Sequence, residues 1–296
     1  MKQYPIKTID LDTHETIAYR QSGDHGPVVL LVHGNMSSSV HWQVLMERLE
    51  NDYQVYALDM TGFGDSTYHR QLESLHDFSR DVTNFIEKLA LENVNIVGWS
   101  TGGGVVLETA ADIPDKIQKV FLLDSVGIQG YPMFEKDAAF QPILTRRIHT
   151  REDIAVDPVQ VLPILKAYEN NDRAFMKMVW NATIYQLNQP SDADYEIYLD
   201  AIFKQRNLVD VDVALANFNI SHQHNGVVKG NGRIDLVKAQ VVIMHGAKDL
   251  TVPMSDSEYT KNVLKDQAEL VIFDNVGHSV LTDNLDLLVD TLVERI

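Results

Sequence analysis

The chain has no cysteine. Disulfides, thiolate nucleophiles and cysteine-ligated metals are therefore excluded. No apolar run approaches the roughly 18 residues that mark a membrane-spanning helix. The opening residues, Met1-Lys2-Gln3-Tyr4-Pro5, show no apolar core of a secretion signal. Positive charge is scarce: 25 Lys and Arg stand against 42 Asp and Glu, for a net charge of −17. Nucleic acid and anionic membranes are poor partners for such a surface, and the charge reads as a solubility device. The phosphate-binding motifs are incomplete. Gly102-Gly103-Gly104 lacks the following Lys-Ser/Thr of a P-loop, and Gly62-x-Gly64 lacks the third glycine of a dinucleotide fingerprint. His222-x-His224 is a lone pair in a polar loop, so no metal site is expected. A cytoplasmic protein is the default reading.

What remains is ordinary globular usage, 45% apolar and 23% charged. At 296 residues the chain exceeds the size at which one core keeps growing, so a core with an inserted subdomain is expected. Tyr4–Leu11 and Glu15–Arg20 alternate polar and apolar residues as edge strands do. Val28–Val32, Tyr53–Leu58, Val94–Trp99, Lys119–Leu123, Val241–Met244 and Leu270–Phe273 are apolar runs of strands buried on both faces. Helical spacing falls between them, including one last helix with Leu281, Leu285, Leu288 and Leu292 on a stripe. Ser74 with Asp77 reads as a capping box. The alternation predicts an α/β fold: an eight-stranded, mostly parallel sheet flanked by helices. Residues 128–235 break it, with helical patterns at Pro158–Tyr168, Arg173–Tyr185 and Asp194–Lys204 and a looser tail. The expected organisation is a core of residues 1–127 and 236–296 with a helical cap of residues 128–235 over the sheet's C-terminal edge, where open parallel sheets bind ligands.

The most informative stretch is Val94-Asn95-Ile96-Val97-Gly98-Trp99-Ser100-Thr101-Gly102-Gly103-Gly104. It reads strand, sharp turn, helix, with G-x-S-x-G at the turn. To lift a hydroxyl clear of a sheet edge, the backbone must turn within one residue. Ser100 is then strained, and the residues two before and two after it crowd together, which Gly98 and Gly102 permit. The helix behind Ser100 aims free N–H groups at the site.

A serine needs a base, and the base needs an acid to hold its tautomer. His278, between the last strand and the last helix, falls at the same sheet edge as Ser100. Asp249, just past the seventh strand, is the preferred acid, because that strand adjoins the one leading to His278. Asp124, past the sixth strand, is the competitor and is read as a loop brace. Acyl transfer also requires donors for the carbonyl oxyanion. The Thr101 N–H is one, and the Asn35 N–H is the other, with Met36 as second choice. Met36 and Trp99 are the substrate-binding candidates. His33 and His245 read as structural, and histidines 14, 25, 41, 69, 76 and 149 as solvated.

These pieces resemble the α/β-hydrolase superfamily over nearly the whole length: His33-Gly34-Asn35, Asp59-x-x-Gly62-x-Gly64-x-Ser66, Gly98-Trp99-Ser100-Thr101-Gly102-Gly103, Gly246-x-x-Asp249-x-x-Val252-Pro253 and Gly277-His278. The order Ser, Asp, His is that superfamily's order. The resemblance implies a helical cap and a Ser-His-Asp triad working without a cofactor. Haloalkane dehalogenases and epoxide hydrolases of the superfamily use an aspartate where this chain has Ser100. His33-Gly34-Asn35 is similar to the dehalogenase oxyanion loop, which admits donation by the Asn35 side chain. The expected activity is hydrolysis of a small-molecule ester or lactone with a small to medium hydrophobic acyl group. C–C bond hydrolysis, proline iminopeptidase-like amide hydrolysis and a ligand-binding sensor role are the alternatives, and a homodimer is compatible with each.

Overall fold

A computed structural model describes residues 1–296. Strands β1 (Lys7–Asp10) and β2 (Thr16–Ser22) form an antiparallel pair turning through His14, whose φ is 64°. The chain continues through β3 (Val28–Val32), α1 (Gln43–Leu49), β4 (Gln54–Leu58), α2 (Leu75–Lys88), β5 (Val94–Trp99), α3 (Thr101–Asp112) and β6 (Ile117–Leu123). The Ser74–Asp77 capping box opens α2: the Asp77 N–H donates to Ser74 Oγ at 3.2 Å, and the Ser74 N–H to Asp77 Oδ2 at 3.0 Å.

Between β6 and the next sheet strand lie a hairpin of β7 (Phe134–Lys136) and β8 (Pro142–Arg147) and helices α4 (Arg151–Ala155), α5 (Leu162–Asn170), α6 (Arg173–Thr183), α7 (Asp192–Ile202) and α8 (Leu208–Asn217). The sequence reading places helices near α5, α6 and α7 but not the hairpin, α4 or α8. The hairpin is mostly exposed and has no clean apolar alternation. The α8 run Val209-Asp210-Val211-Asp212-Val213 alternates like a strand, yet it folds as a helix, with Asp210 buried against Arg151, the Tyr68 hydroxyl and the Leu72 N–H. Strand β9 (Gln240–Gly246), α9 (Met254–Leu264), β10 (Ala268–Phe273), α10 (Val280–Asp283) and α11 (Leu285–Arg295) complete the chain. The expected single last helix is thus two. Asn284 leaves the helical conformation at φ −158° and caps α11 by accepting from the Leu287 N–H at 3.1 Å.

The eight-stranded sheet runs β1-β2-β4-β3-β5-β6-β9-β10, parallel from β4 onward. Alternation along the strands divides two core layers. Val29, Leu31 and Val97 pack toward α1 and α11, while Leu30, Val32 and Ile96 pack toward α2 and α3. After β3 the chain steps to β4 on one side and then to β5 on the other. The ends of β3 and β5 therefore flank the crevice at which open α/β sheets hold ligands.

One histidine departs from expectation. His41 is buried, its ring stacked on Tyr198 at 4.4 Å and on Trp180 at 5.2 Å between centroids. It joins the loop after β3 to α6 and α7. Burial, with His33 nearby, pushes its pKa down to about 3, so the ring is neutral. No helix is long and apolar enough to cross a membrane.

Candidate active site

At the end of β5 the backbone turns in one step: Ser100 adopts φ 55° and ψ −120°, and α3 starts at the next residue. Such a conformation costs a non-glycine residue about 1–3 kcal/mol. A Cβ on Gly98 would lie 2.4 Å from the Gly102 carbonyl oxygen, and one on Gly34 would lie 2.9 Å from the Ser100 Cβ. The absence of side chains at these two positions lets the β3 and β5 loops meet.

The Ser100 hydroxyl makes no hydrogen bond in the protein and lines a cavity of about 310 Å³. His278 lines the same cavity from the loop after β10. Its Nδ1 lies 2.7 Å from Asp249 Oδ2, and the two side chains are almost wholly buried. Asp249 also accepts from the N–H groups of Thr251 at 2.7 Å and Val252 at 3.1 Å. Burial works to raise this carboxyl, but the His278 hydrogen bond and charge and the two N–H groups outweigh it, so Asp249 stays below the usual carboxylate range. With Asp249 bound at Nδ1, the other ring nitrogen, Nε2, is left for the cavity. The indole of Trp99 holds the loop from behind, donating to the His278 carbonyl at 2.8 Å.

Asp124 lies beside this pair. Its Oδ1 accepts the Gly246 N–H at 2.7 Å, and it makes no bond to His278. Burial and the neighbouring Asp249 carboxylate push it well above the usual carboxylate range. His245 bonds Ser257 Oγ at 2.8 Å. His33 is fixed by Gly34 O and the Met60 N–H and is lowered by burial to about 4.

The donor candidates separate cleanly. The Thr101 N–H opens α3 and so has no intrahelical acceptor, and the Asn35 N–H has no acceptor in the protein. The Met36 N–H is taken, by Asn35 Oδ1 at 2.9 Å and Gln205 Oε1 at 3.1 Å. The Asn35 side chain is also engaged, its Nδ2 facing Asp212 Oδ1 at 3.3 Å and its Oδ1 accepting from Gln205 at 2.8 Å. Two residues absent from the sequence reading thus reach the site, Gln205 and Asp212. Both come from around α8, and no local pattern marks either. The rest of the wall is largely apolar, with Met36, Trp99, Met133, Ile164, Phe175 and Trp180 among the lining residues.

A parallel sheet with its nucleophile-type turn at the switch point, covered by helices and facing a histidine–carboxylate pair, defines an α/β-hydrolase architecture. The family model described as the alpha/beta hydrolase fold matches residues 27–285, and the chain belongs to that family. The chain is similar to an esterase from Exiguobacterium antarcticum (TM-score 0.75, 18% identity, 97% of this chain and 98% of that one) and to the enol-lactonase from Burkholderia xenovorans LB400 (TM-score 0.73, 16% identity, 97% and 98%). In sequence it is 30% identical over 110 residues to the pimeloyl-[acyl-carrier protein] methyl ester esterase of Aliivibrio salmonicida, covering 37% of this chain and 40% of that protein. It is 21% identical over 277 residues to the 2-hydroxymuconate semialdehyde hydrolase of Pseudomonas sp. strain CF600, covering 84% and 80%. Its match to an uncharacterized protein of Mycobacterium tuberculosis spans only about a third of that relative, 32%.

Proposed function

We propose that the protein is a serine hydrolase of carboxylic esters or lactones. Ser100 attacks the carbonyl carbon while His278 Nε2 takes the hydroxyl proton. Asp249 fixes the His278 tautomer by holding Nδ1–H and stabilises the imidazolium as it forms. The Asn35 and Thr101 N–H groups receive the oxyanion, each contributing on the order of 3–4 kcal/mol. The imidazolium returns its proton to the leaving alkoxide, and water activated by the same imidazole releases the acyl group from Ser100. Every step uses side chains and backbone of this chain.

One observation carries the reading: a strained serine lines the same cavity as His278, and that imidazole is held from behind by the buried Asp249 carboxylate. The apolar wall supports a small to medium hydrophobic acyl group. Ser100→Ala should lower kcat for p-nitrophenyl butyrate by on the order of 10⁶. It should also abolish labelling by a fluorophosphonate probe. A loss below about tenfold, or labelling that survives the substitution, refutes the assignment and returns the chain to a ligand-binding role.

A further inference from the structure

The cavity wall is apolar except at a few points, and one of these is a carboxyl. Asp212 projects from α8 and is the sole acid among the lining residues, which include no lysine or arginine. Its Oδ1 faces Asn35 Nδ2 at 3.3 Å, whereas Oδ2 has no partner in the protein and is not sealed off from the cavity. The group is thus half-fastened beside the loop that carries a proposed oxyanion donor, with its second oxygen free.

The groups that face it set its charge. Burial, and after it the Asp157 carboxylate, push Asp212 up to about 8. Asp157 is itself held by Lys136 at 2.8 Å, so that ammonium is already engaged. Tyr131 and Tyr168 approach from the β6 loop and α5; burial and then the Asp212 charge raise both hydroxyls, which stay protonated. Gln205 and Asn35 add neutral amides, and His278 lines the same space. No cation balances Asp212. Near neutral pH it is a carboxylic acid in an apolar wall, with Asn35 on one oxygen and a proton to donate from the other.

We propose that Asp212 is the specificity-determining residue of the cavity, donating a hydrogen bond from Oδ2 to an uncharged acceptor oxygen on the acyl chain, so that the natural substrate class is oxo- or hydroxyacyl esters and lactones. The inference rests on Ser100 being the nucleophile. An acyl chain bearing a carboxylate is disfavoured, because its charge would be desolvated beside an acid with no counter-ion. A plain hydrocarbon chain leaves the Oδ2 proton of the buried acid without an acceptor, which incurs the desolvation penalty of an unsatisfied donor.

The test uses the full chain and matched p-nitrophenyl esters: pentanoate with 4-oxopentanoate, hexanoate with 5-oxohexanoate, and the pentanedioate half-ester. Each kcat/KM is divided by the ester's spontaneous hydrolysis rate. The wild-type protein should favour at least one oxo ester over its hydrocarbon match by about tenfold, one hydrogen bond's worth of selectivity. Asp212→Leu should bring that ratio near one, and Asp212→Asn, which keeps a donor, should retain most of it. The wild-type ratio should fall as pH rises past 8, while the Asp212→Asn ratio stays flat. An unchanged ratio in Asp212→Leu, a preference that grows with pH, or a preferred half-ester overturns the proposal. A second readout needs no turnover: infrared difference spectra of wild type minus Asp212→Asn should show a protonated carboxyl at pH 6 that becomes carboxylate above pH 8. A carboxylate already present at pH 6 overturns the proposal as well. Absence of fluorophosphonate labelling in the wild-type protein strikes the serine-hydrolase reading instead.

Discussion

Asp249 and Asp124 are neighbours in the same buried region, yet their surroundings push them in opposite directions. Asp249 has His278 and two backbone N–H groups aimed at it, whereas Asp124 has one N–H and a carboxylate for a neighbour. Like charges so close cannot both persist, and the better-solvated acid keeps its ionisation. The difference is testable in single substitutions. Asp249→Asn should cut kcat by about 10⁴, because an amide cannot hold the histidine in the required tautomer. Asp124→Asn keeps an acceptor for the Gly246 N–H and touches no bond to His278, so it should stay within about tenfold of wild type. Steady-state kinetics on one ester decide between them. The sequence alone ranks these acids only by strand order; what separates them is the count of donors at each carboxyl, which no spacing encodes.

The turn from β5 into α3 is the element that local sequence specifies most fully. Gly98, Ser100 and Gly102 announce both the strain and the crowding, and the structure shows both. Strain of this kind is separable from chemistry. Ser100→Gly should stabilise the fold by about 1 kcal/mol, since glycine adopts positive φ freely. Gly98→Ala should destabilise it by at least about 2 kcal/mol, because the new methyl meets the Gly102 backbone. Urea unfolding of the two variants gives both signs. Helix α8 is the opposite case. Its valine–aspartate alternation argues for a strand, yet it is a helix, with Asp210 held by Arg151, Tyr68 and Leu72. Asp212 could not be assigned to the cavity without that helix, so the residue proposed to set specificity is the one least legible in the sequence. The exposed hairpin β7–β8 escapes for a related reason: neither face carries the apolar signal that marks a strand.

For the molecule as a whole, buried titratable groups pull stability in opposite directions with pH. His33 and His41 resist protonation down to about 4 and 3, while an unfolded histidine binds its proton near 6.5. Between those values the unfolded chain holds more protons, so these residues make the fold less stable as pH falls from about 6.5 toward 4. Asp212 has the reverse sign. The folded state keeps its proton up to about 8 against an ordinary 3.8, so its contribution weakens as pH rises through that window. Thermal melts across pH should show both. His41→Phe keeps the ring stack and should flatten the acid-side slope. Asp212→Asn should gain Tm relative to wild type progressively from pH 4 to pH 8, equivalent to on the order of a few kcal/mol at the upper end. Fold class and the positions of the sheet strands along the chain were legible because buried parallel strands leave apolar runs. The joining of separate loops by buried side chains, as at His41, leaves no periodic trace.

The indole bond from Trp99 to the His278 carbonyl has an optical consequence. The chain contains three tryptophans, and the indole nitrogens of Trp42 and Trp180 are buried without partners. Trp99 alone ties its ring dipole to the loop bearing His278, while its own backbone leads directly into Ser100. Its emission should therefore shift when an acyl group or a covalent inhibitor displaces that loop. Comparison with Trp99→Phe would isolate this intrinsic fluorophore as a real-time monitor of cavity occupancy, with no dye attached.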